Sequence, residues 1–339
     1  MARKGETKPR IQLGEAGDPE SLTTLADAWL ESLRVRNYSQ GTVRAYDLYL
    51  GYFLEWCGSR ALTRVSEITR PILQRYQHAL FHYRKRSGQP LSPESQSERV
   101  ATLKLFFRWL ARENLIVSNP AADLDVPRAT KRLPKHVLTA NEADRILAQP
   151  DVTTPNGIRD RAMLEVLYST GIRRLELIHL TVFDIDRERG LVLVRQGKGK
   201  KDRYVPIGER AISWTDKYLA DVRPALASSP SDATLFLSHF GAAFTPDFLS
   251  RLVADYIDTA AIGKTGSCHL FRHTAATLML EGGADIRFVQ QMLGHANLNT
   301  TAIYTNVAIR KLKEIHTATH PSAKLERSIE IADGETKDE

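Results

Sequence analysis

Residues 1–20 show no periodic apolar pattern and read as a flexible leader. From Ser21 the pattern turns helical. Leu22, Leu25, Ala26, Trp29, Leu30 and Leu33 recur at spacings of three and four, one apolar stripe along a helix. Ser39 suits the N-cap of a second helix whose inward face carries Val43, Tyr46, Leu50, Phe53 and Leu54. Pro71 fits the first turn of a third helix running to about Lys85. The segment RSGQPLSP at 86–93 is a loop, and a fourth helix follows with Val100, Leu103, Phe106, Phe107 and Leu110 inward. Four helices with short loops predict a compact bundle over residues 21–125, its tryptophans and tyrosines serving the core.

Residues 126–137 hold Pro127 and Pro134 with the bases Arg128, Lys131, Arg132 and Lys135, and no acid. Prolines stiffen this stretch and nothing in it can form a core, so it reads as an interdomain linker. A plain solvated linker has this composition, and so does one crossing a phosphate backbone. A second domain is expected over 138–320. Thr139 can cap the helix of NEADRILAQ, and Ile158–Ser169 is an apolar helix. Three strand-like segments follow, Val182–Asp186, Leu191–Arg195 and Arg203–Ile207, a small antiparallel meander. From Trp214 to about His316 the pattern is helical again. The fold class expected is mainly α with a small antiparallel sheet, in two domains.

The length, 339 residues, suits two domains, and 42% hydrophobic with 26% charged residues excludes a wholly disordered chain. No run of about 18 apolar residues occurs, which argues against a membrane span. The polar start cannot serve as a secretory signal. The two cysteines, Cys57 and Cys268, make neither a disulfide framework nor a zinc site alone, and point to a reducing cytoplasm. The net charge is +7, but residues 321–339 hold six acids against three bases and read as a disordered acidic tail, leaving +10 on residues 1–320. That excess fits a polyanionic partner and equally an ordinary basic surface.

Several common sites are missing: no GxxxxGK[ST] loop, no GxGxxG after a strand, no GxSxG, no HExxH. What remains is a series of short basic strings. In TGIRRLEL (170–177) a helix stops at Gly171 and Arg173 stands at the break, its fork able to face a phosphate or simply solvent. GKGKKDR (197–203) places Lys198, Lys200 and Lys201 in a turn between two strands, where glycine lets a lysine approach a groove. In HLFRH (269–273), His269 and Arg272 share one helical face. LGH (293–295) brings His295, and Tyr304 follows nine residues later. Taken singly, each string has a bland structural explanation.

Together, in this order and with these flanks, the strings resemble the tyrosine recombinase (phage integrase) family, closest in feel to Xer-like or mobile-element members. The likeness extends over most of residues 21–320 through the helical bundle and basic connector. Ile172 and Leu175 stand where the family usually has Leu and often Ser, and neither change touches a reacting group. The resemblance implies a helical, SAM-like core-binding domain and a mixed α/β catalytic domain closing on duplex DNA as a C-shaped clamp.

The resemblance also implies the chemistry, which needs charge neutralisation, a nucleophile and a proton for the leaving alkoxide. Arg173 and Arg272 hold the non-bridging oxygens, and His269 and His295 add hydrogen bonds, His269 being the better acceptor of the tyrosine proton. Tyr304 attacks phosphorus to give a 3′-phosphotyrosine, and a cationic pocket makes it usable although a free tyrosine titrates near ~10. Lys198 protonates the departing 5′-oxygen, while Glu176 braces the arginine-bearing turn. No metal or other cofactor is required. Arg128, Lys131, Arg132, Lys200 and Lys201 are the candidate contacts to the DNA backbone. The partners expected are double-stranded DNA and a homo-tetramer on two DNA sites, with or without a second recombinase. The apolar set Val307, Ile309, Leu312 and Ile315 in a short helix, Ala308–His316, is expected to dock in cis or on a neighbour. A type IB topoisomerase and a catalytically silent DNA-binding regulator are the alternatives.

Overall fold

The computed structural model describes residues 12–14, 17–128, 136–195, 202–227 and 233–294. The chain divides into two compact units, Met1–Lys131 and Arg132–Glu339.

The first unit is built from α1 (Leu22–Val35), α2 (Gln40–Gly58), α3 (Arg70–His82) and α4 (Pro93–Arg112). Their starts follow local chemistry. Ser39 Oγ accepts from Thr42 N, Ser92 Oγ accepts from Ser95 N, and proline occupies the first turn of α3 and of α4. The apolar stripes face inward, and Trp29 stacks on Tyr46 at 5.4 Å between centroids and tilts against Phe106 at 5.6 Å. The helix α3 stops short of Lys85. Tyr83 is extended and Arg84 bridges Pro90, so the glycine–proline loop folds back as a small hairpin. The leader is not wholly unanchored: Leu13 is buried in this core, and its N–H donates to Thr23 Oγ1 at 3.0 Å.

The second unit holds α5 (Ala140–Leu147), α6 (Pro155–Thr170), α7 (Arg174–Ile178), β1 (Ile185–Asp186), β2 (Leu191–Val194) and β3 (Arg203–Pro206). It continues with α8 (Glu209–Asp221), α9 (Arg223–Leu226), α10 (Pro246–Thr259), α11 (Cys268–Glu281) and α12 (Ile286–Leu293). The sheet runs β1-β2-β3, antiparallel throughout, with Val192 opposite Val205 and both fully buried. At its centre, α6 packs against α8 and α11. It is buried on most of its surface, with Ala162, Met163, Leu164, Val166 and Leu167 in the core. Its charges are paired: Arg159 with Asp160 at 2.8 Å, and Glu165 with both Arg161 and Arg210.

One expected element differs. Helix is not continuous from Trp214. The helix α8 begins earlier, at Glu209, and residues 233–245 form bridged extended chain. Leu235 N donates to Leu180 O at 2.8 Å, Leu237 bridges Ala243, and Leu235, Phe236 and Leu237 enter the core. The buried apolar run satisfied two patterns, and pairing with the segment 180–182 decided it.

Candidate active site

The site grows from the end of α6. That helix closes at Gly171, which adopts φ +59°, and a Cβ there would meet Leu293 Cδ2 at 3.1 Å and Ala275 Cβ at 3.5 Å. Glycine therefore serves twice, by its left-handed backbone and by letting the turn press onto α11 and α12. Two residues later the chain reaches Arg173, at the N-cap of α7.

Glu176 organises the turn from within α7. Its Oε2 accepts from the Arg173 N–H at 2.8 Å, and its Oε1 accepts from Arg173 Nη1 at 2.8 Å. Arg203, the first residue of β3, adds a two-pronged contact, Nη1 to Oε1 at 3.0 Å and Nη2 to Oε2 at 2.8 Å. Burial works against the Glu176 carboxylate, but the hydrogen bonds from Arg203 and Arg173 outweigh it and hold its pKa down to about 2. Glu176 is thus a fixed anion that braces the arginines, as its spacing after Arg173 suggests.

Three arginines converge on the last turn of α12. Arg203 Nε donates to Met292 O at 2.9 Å, Arg272 Nη2 to Leu293 O at 2.6 Å, and Arg173 Nη2 to Gly294 O at 3.0 Å. A helix C-terminus leaves its final carbonyls unpaired and carries partial negative charge, so cations suit it. Gly294 adopts φ +64°, and a Cβ on it would sit 3.0 Å from the Arg203 guanidinium. Leu293 and Gly294 of this turn open the LGH string, and His295 follows Gly294 in the sequence.

Arg272 lies on α11, 3% exposed, and its Nη1 also donates to Gly171 O at 2.7 Å. It therefore joins the ends of α6 and α12. His269 stands one turn earlier on α11 and is exposed. Partial burial of its ring, then the nearby Arg272, Arg174 and Arg173 cations, lowers its pKa from 6.5. His273 follows one turn later, its ring centroid 6.4 Å from that of His269. Burial, then His269 and Arg272, pushes its pKa down to about 4.

The structure thus brings Arg173, from one string, together with His269 and Arg272, from another. Lys198, Lys200, Lys201, His295, Tyr304, Lys131 and Arg132 lie outside the described residues, as do the segment Ala308–His316 and the acidic tail. Arg128 is exposed at the end of the first unit. Sequence reasoning passed over Arg203. Its string draws the eye to lysines, yet the signal was present: an arginine opening a strand whose next inward residue, Val205, is core. Among the described residues no group of three His, Cys, Asp or Glu could hold a metal, and no helix is long and apolar enough to cross a membrane.

Residues 136–310 match the model of the phage integrase family, and residues 25–116 that of the phage integrase N-terminal SAM-like domain. The chain belongs to the phage integrase family. Among its family relatives is the tyrosine recombinase XerC 2 of Ralstonia nicotianae, 48% identical over 328 residues, covering 96% of this chain and 94% of the relative. The tyrosine recombinase XerD of Pseudomonas aeruginosa is 38% identical over 299 residues, covering 88% and 97%. Among solved structures, XerH site-specific recombinase bound to palindromic difH substrate superposes with a TM-score of 0.68 at 23% identity, covering 91% of this chain and 90% of that one. That likeness shows the integrase fold: a mostly helical molecule with a small antiparallel sheet, a SAM-like N-terminal domain and a catalytic domain.

Proposed function

We propose that this chain is a site-specific DNA recombinase that cuts and rejoins duplex DNA through a covalent 3′-phosphotyrosine. The observation that carries the reading is the meeting of Arg173 and Arg272 at the α12 turn: Arg173 holds Gly294 O and Arg272 holds Leu293 O, directly before His295. Two rigid cations at one point suit a phosphodiester gaining charge in its transition state. The full-length likeness to two tyrosine recombinases supports recombination over supercoil relaxation.

In this scheme the Tyr304 oxygen attacks phosphorus and the P–O5′ bond breaks. The tyrosine proton passes to His269, whose lowered pKa keeps the imidazole neutral and able to accept it. Lys198 gives a proton to the leaving 5′-oxygen. His295 and the two arginines hold the non-bridging oxygens. A 5′-hydroxyl from a partner strand then attacks the phosphotyrosine and releases Tyr304, so no bond energy is lost. Arg128, Lys131, Arg132, Lys200 and Lys201 contact the backbone electrostatically.

The working unit is a homo-tetramer on two DNA sites, acting alone or with a second recombinase. In support, lambda integrase, of similar fold at TM-score 0.63 and 20% identity, has been solved as a tetramer bound to a Holliday junction. The reaction belongs in the cytoplasm, where a chain with two buried free thiols is at home.

The test uses a nicked duplex carrying a site recovered from DNA bound to the protein. Wild type forms an SDS-resistant protein–DNA adduct. Tyr304→Phe binds the same duplex and forms none, since it loses one oxygen and no charge. An adduct persisting in Tyr304→Phe contradicts the assignment.

A further inference from the structure

Two consecutive arginines stand at the start of α7, and they face different ways. Arg173 turns to Glu176 and to Gly294 at the end of α12. Arg174 turns to α10, where its Nη1 donates to Ser250 Oγ at 2.7 Å and to Pro246 O at 3.2 Å. The reaction scheme uses Arg173 and gives Arg174 no part.

Arg174 is held in place but not satisfied. Among the described residues its hydrogen bonds run through Nη1 alone, so Nε and Nη2 keep their N–H groups for another acceptor. Its acid among the described residues is Asp247, 4.0 Å away and 93% exposed, beyond hydrogen-bond reach. Arg173 and Arg203, by contrast, share the buried Glu176 carboxylate. The Arg174 side chain is 35% exposed, which leaves its free nitrogens open to a ligand. It also borders the candidate active site. After burial and Arg272, Arg174 is the next influence that lowers the His269 pKa, ahead of Arg173. Burial raises the pKa of the Cys268 thiol, and Arg174 works against that rise. Arg174 therefore stands beside the first turn of α11, which carries His269.

Tying α7 to α10 needs a single donor. A guanidinium that spends one nitrogen on the tie and keeps two is suited to an oxyanion as well. Its place at the margin of the arginine turn points to the phosphate next in line.

We propose that Arg174 is a substrate-positioning residue, which takes a non-bridging oxygen of the phosphate adjacent to the scissile one on the cleaved strand. The proposal rests on the recombinase reading above. Neighbouring phosphates are joined along one strand, so fixing the second sets the first against Tyr304. Arg174 supplies register here and no chemistry at the reacting atom.

The experiment compares full-length wild type, Arg174→Gln and Ser250→Ala. Glutamine removes the charge and keeps an N–H donor on the α10 side. Alanine removes the anchor and keeps the charge. The nicked duplex used for the adduct test is made with one methylphosphonate at a time in place of each phosphate flanking the scissile one. That group lacks the charge and one acceptor oxygen. Single-turnover adduct formation and binding by anisotropy are both measured. Arg174→Gln is expected to be about tenfold slower on unmodified DNA, the size of one charged hydrogen bond. At one flanking position the methylphosphonate should slow wild type about tenfold and leave Arg174→Gln no slower than before. Ser250→Ala should keep the wild-type sensitivity at that position. Unchanged rates in Arg174→Gln overturn the proposal. So does an equal response of wild type and Arg174→Gln at every position, the mark of an arginine that only ties α7 to α10. If no protein forms an adduct, the recombinase reading fails separately, and anisotropy still reads the contact. A position that weakens wild-type binding several-fold and spares Arg174→Gln then upholds it, and the lack of any such position overturns it.

Discussion

Arg173 and Arg272 are chemically alike but differently placed. The Arg173 side chain is 21% exposed and uses its two terminal nitrogens on Glu176 and Gly294. Arg272 is buried and ties two helix ends together. Arg173→Lys should therefore keep Tm within a few degrees yet cut cleavage about a hundredfold, since lysine cannot reproduce the planar fork. Arg272→Lys should lose both, because a single ammonium does not reproduce the two-nitrogen fork that spans Gly171 O and Leu293 O. Fluorimetry with single-turnover cleavage per folded molecule separates the two cases. The histidines predict a pH response. With its pKa below 6.5, His269 is neutral at and above that pH and becomes protonated below it, so cleavage should fall on the acid side. The sign for stability is the same. Between pH 6.5 and about 4 the unfolded chain protonates His273 while the folded chain does not, so stability should decline as pH falls through that window. In His273→Gln that decline should be shallower, by denaturant titration at each pH.

At the scale of elements, Glu176 links α7, β3 and, through Arg203, the end of α12. Removing one partner strands the other. Arg203→Ala should destabilise the fold by about 3 kcal/mol, the size seen when a buried pair is broken. Adding Glu176→Gln should recover part of that loss, because the stranded charge is gone. A double-mutant cycle by urea denaturation reads the coupling, and additive losses would contradict the brace. Much of this architecture was legible. The stripes of α1, α2 and α4 are long and periodic, and α2 and α4 are capped, so their inward residues could be named from spacing alone. Residues 233–245 were not legible, because Leu235, Phe236 and Leu237 fit a buried helix as well as a buried strand, and only contact with 180–182 selects. Arg203 was hidden for a similar reason. Its place at the start of a strand was visible, but its partners, Glu176 and Met292, are distant in sequence.

For the whole molecule, the strings at 170–177 and 269–273 are brought to a single turn by packing of α6, α11 and α12, and order along the chain had already suggested it. The proposed assembly calls on a different segment. If Ala308–His316 docks on a neighbouring copy, deleting residues 308–339 should leave a soluble monomer that binds one DNA site and fails to pair two. Docking in cis predicts aggregation of that variant instead. Light scattering and gel-shift on one and two sites distinguish these outcomes, and removal of 325–339 alone should leave both properties intact. The central claim, that DNA is broken by covalent transfer to a tyrosine held at the arginine turn, is tested most directly by mass spectrometry of the trapped adduct. After nuclease and protease digestion, the account predicts a 3′-linked nucleotide on the peptide containing Tyr304 and on no other. A nucleotide on a different residue, or a 5′ linkage at Tyr304, would contradict it.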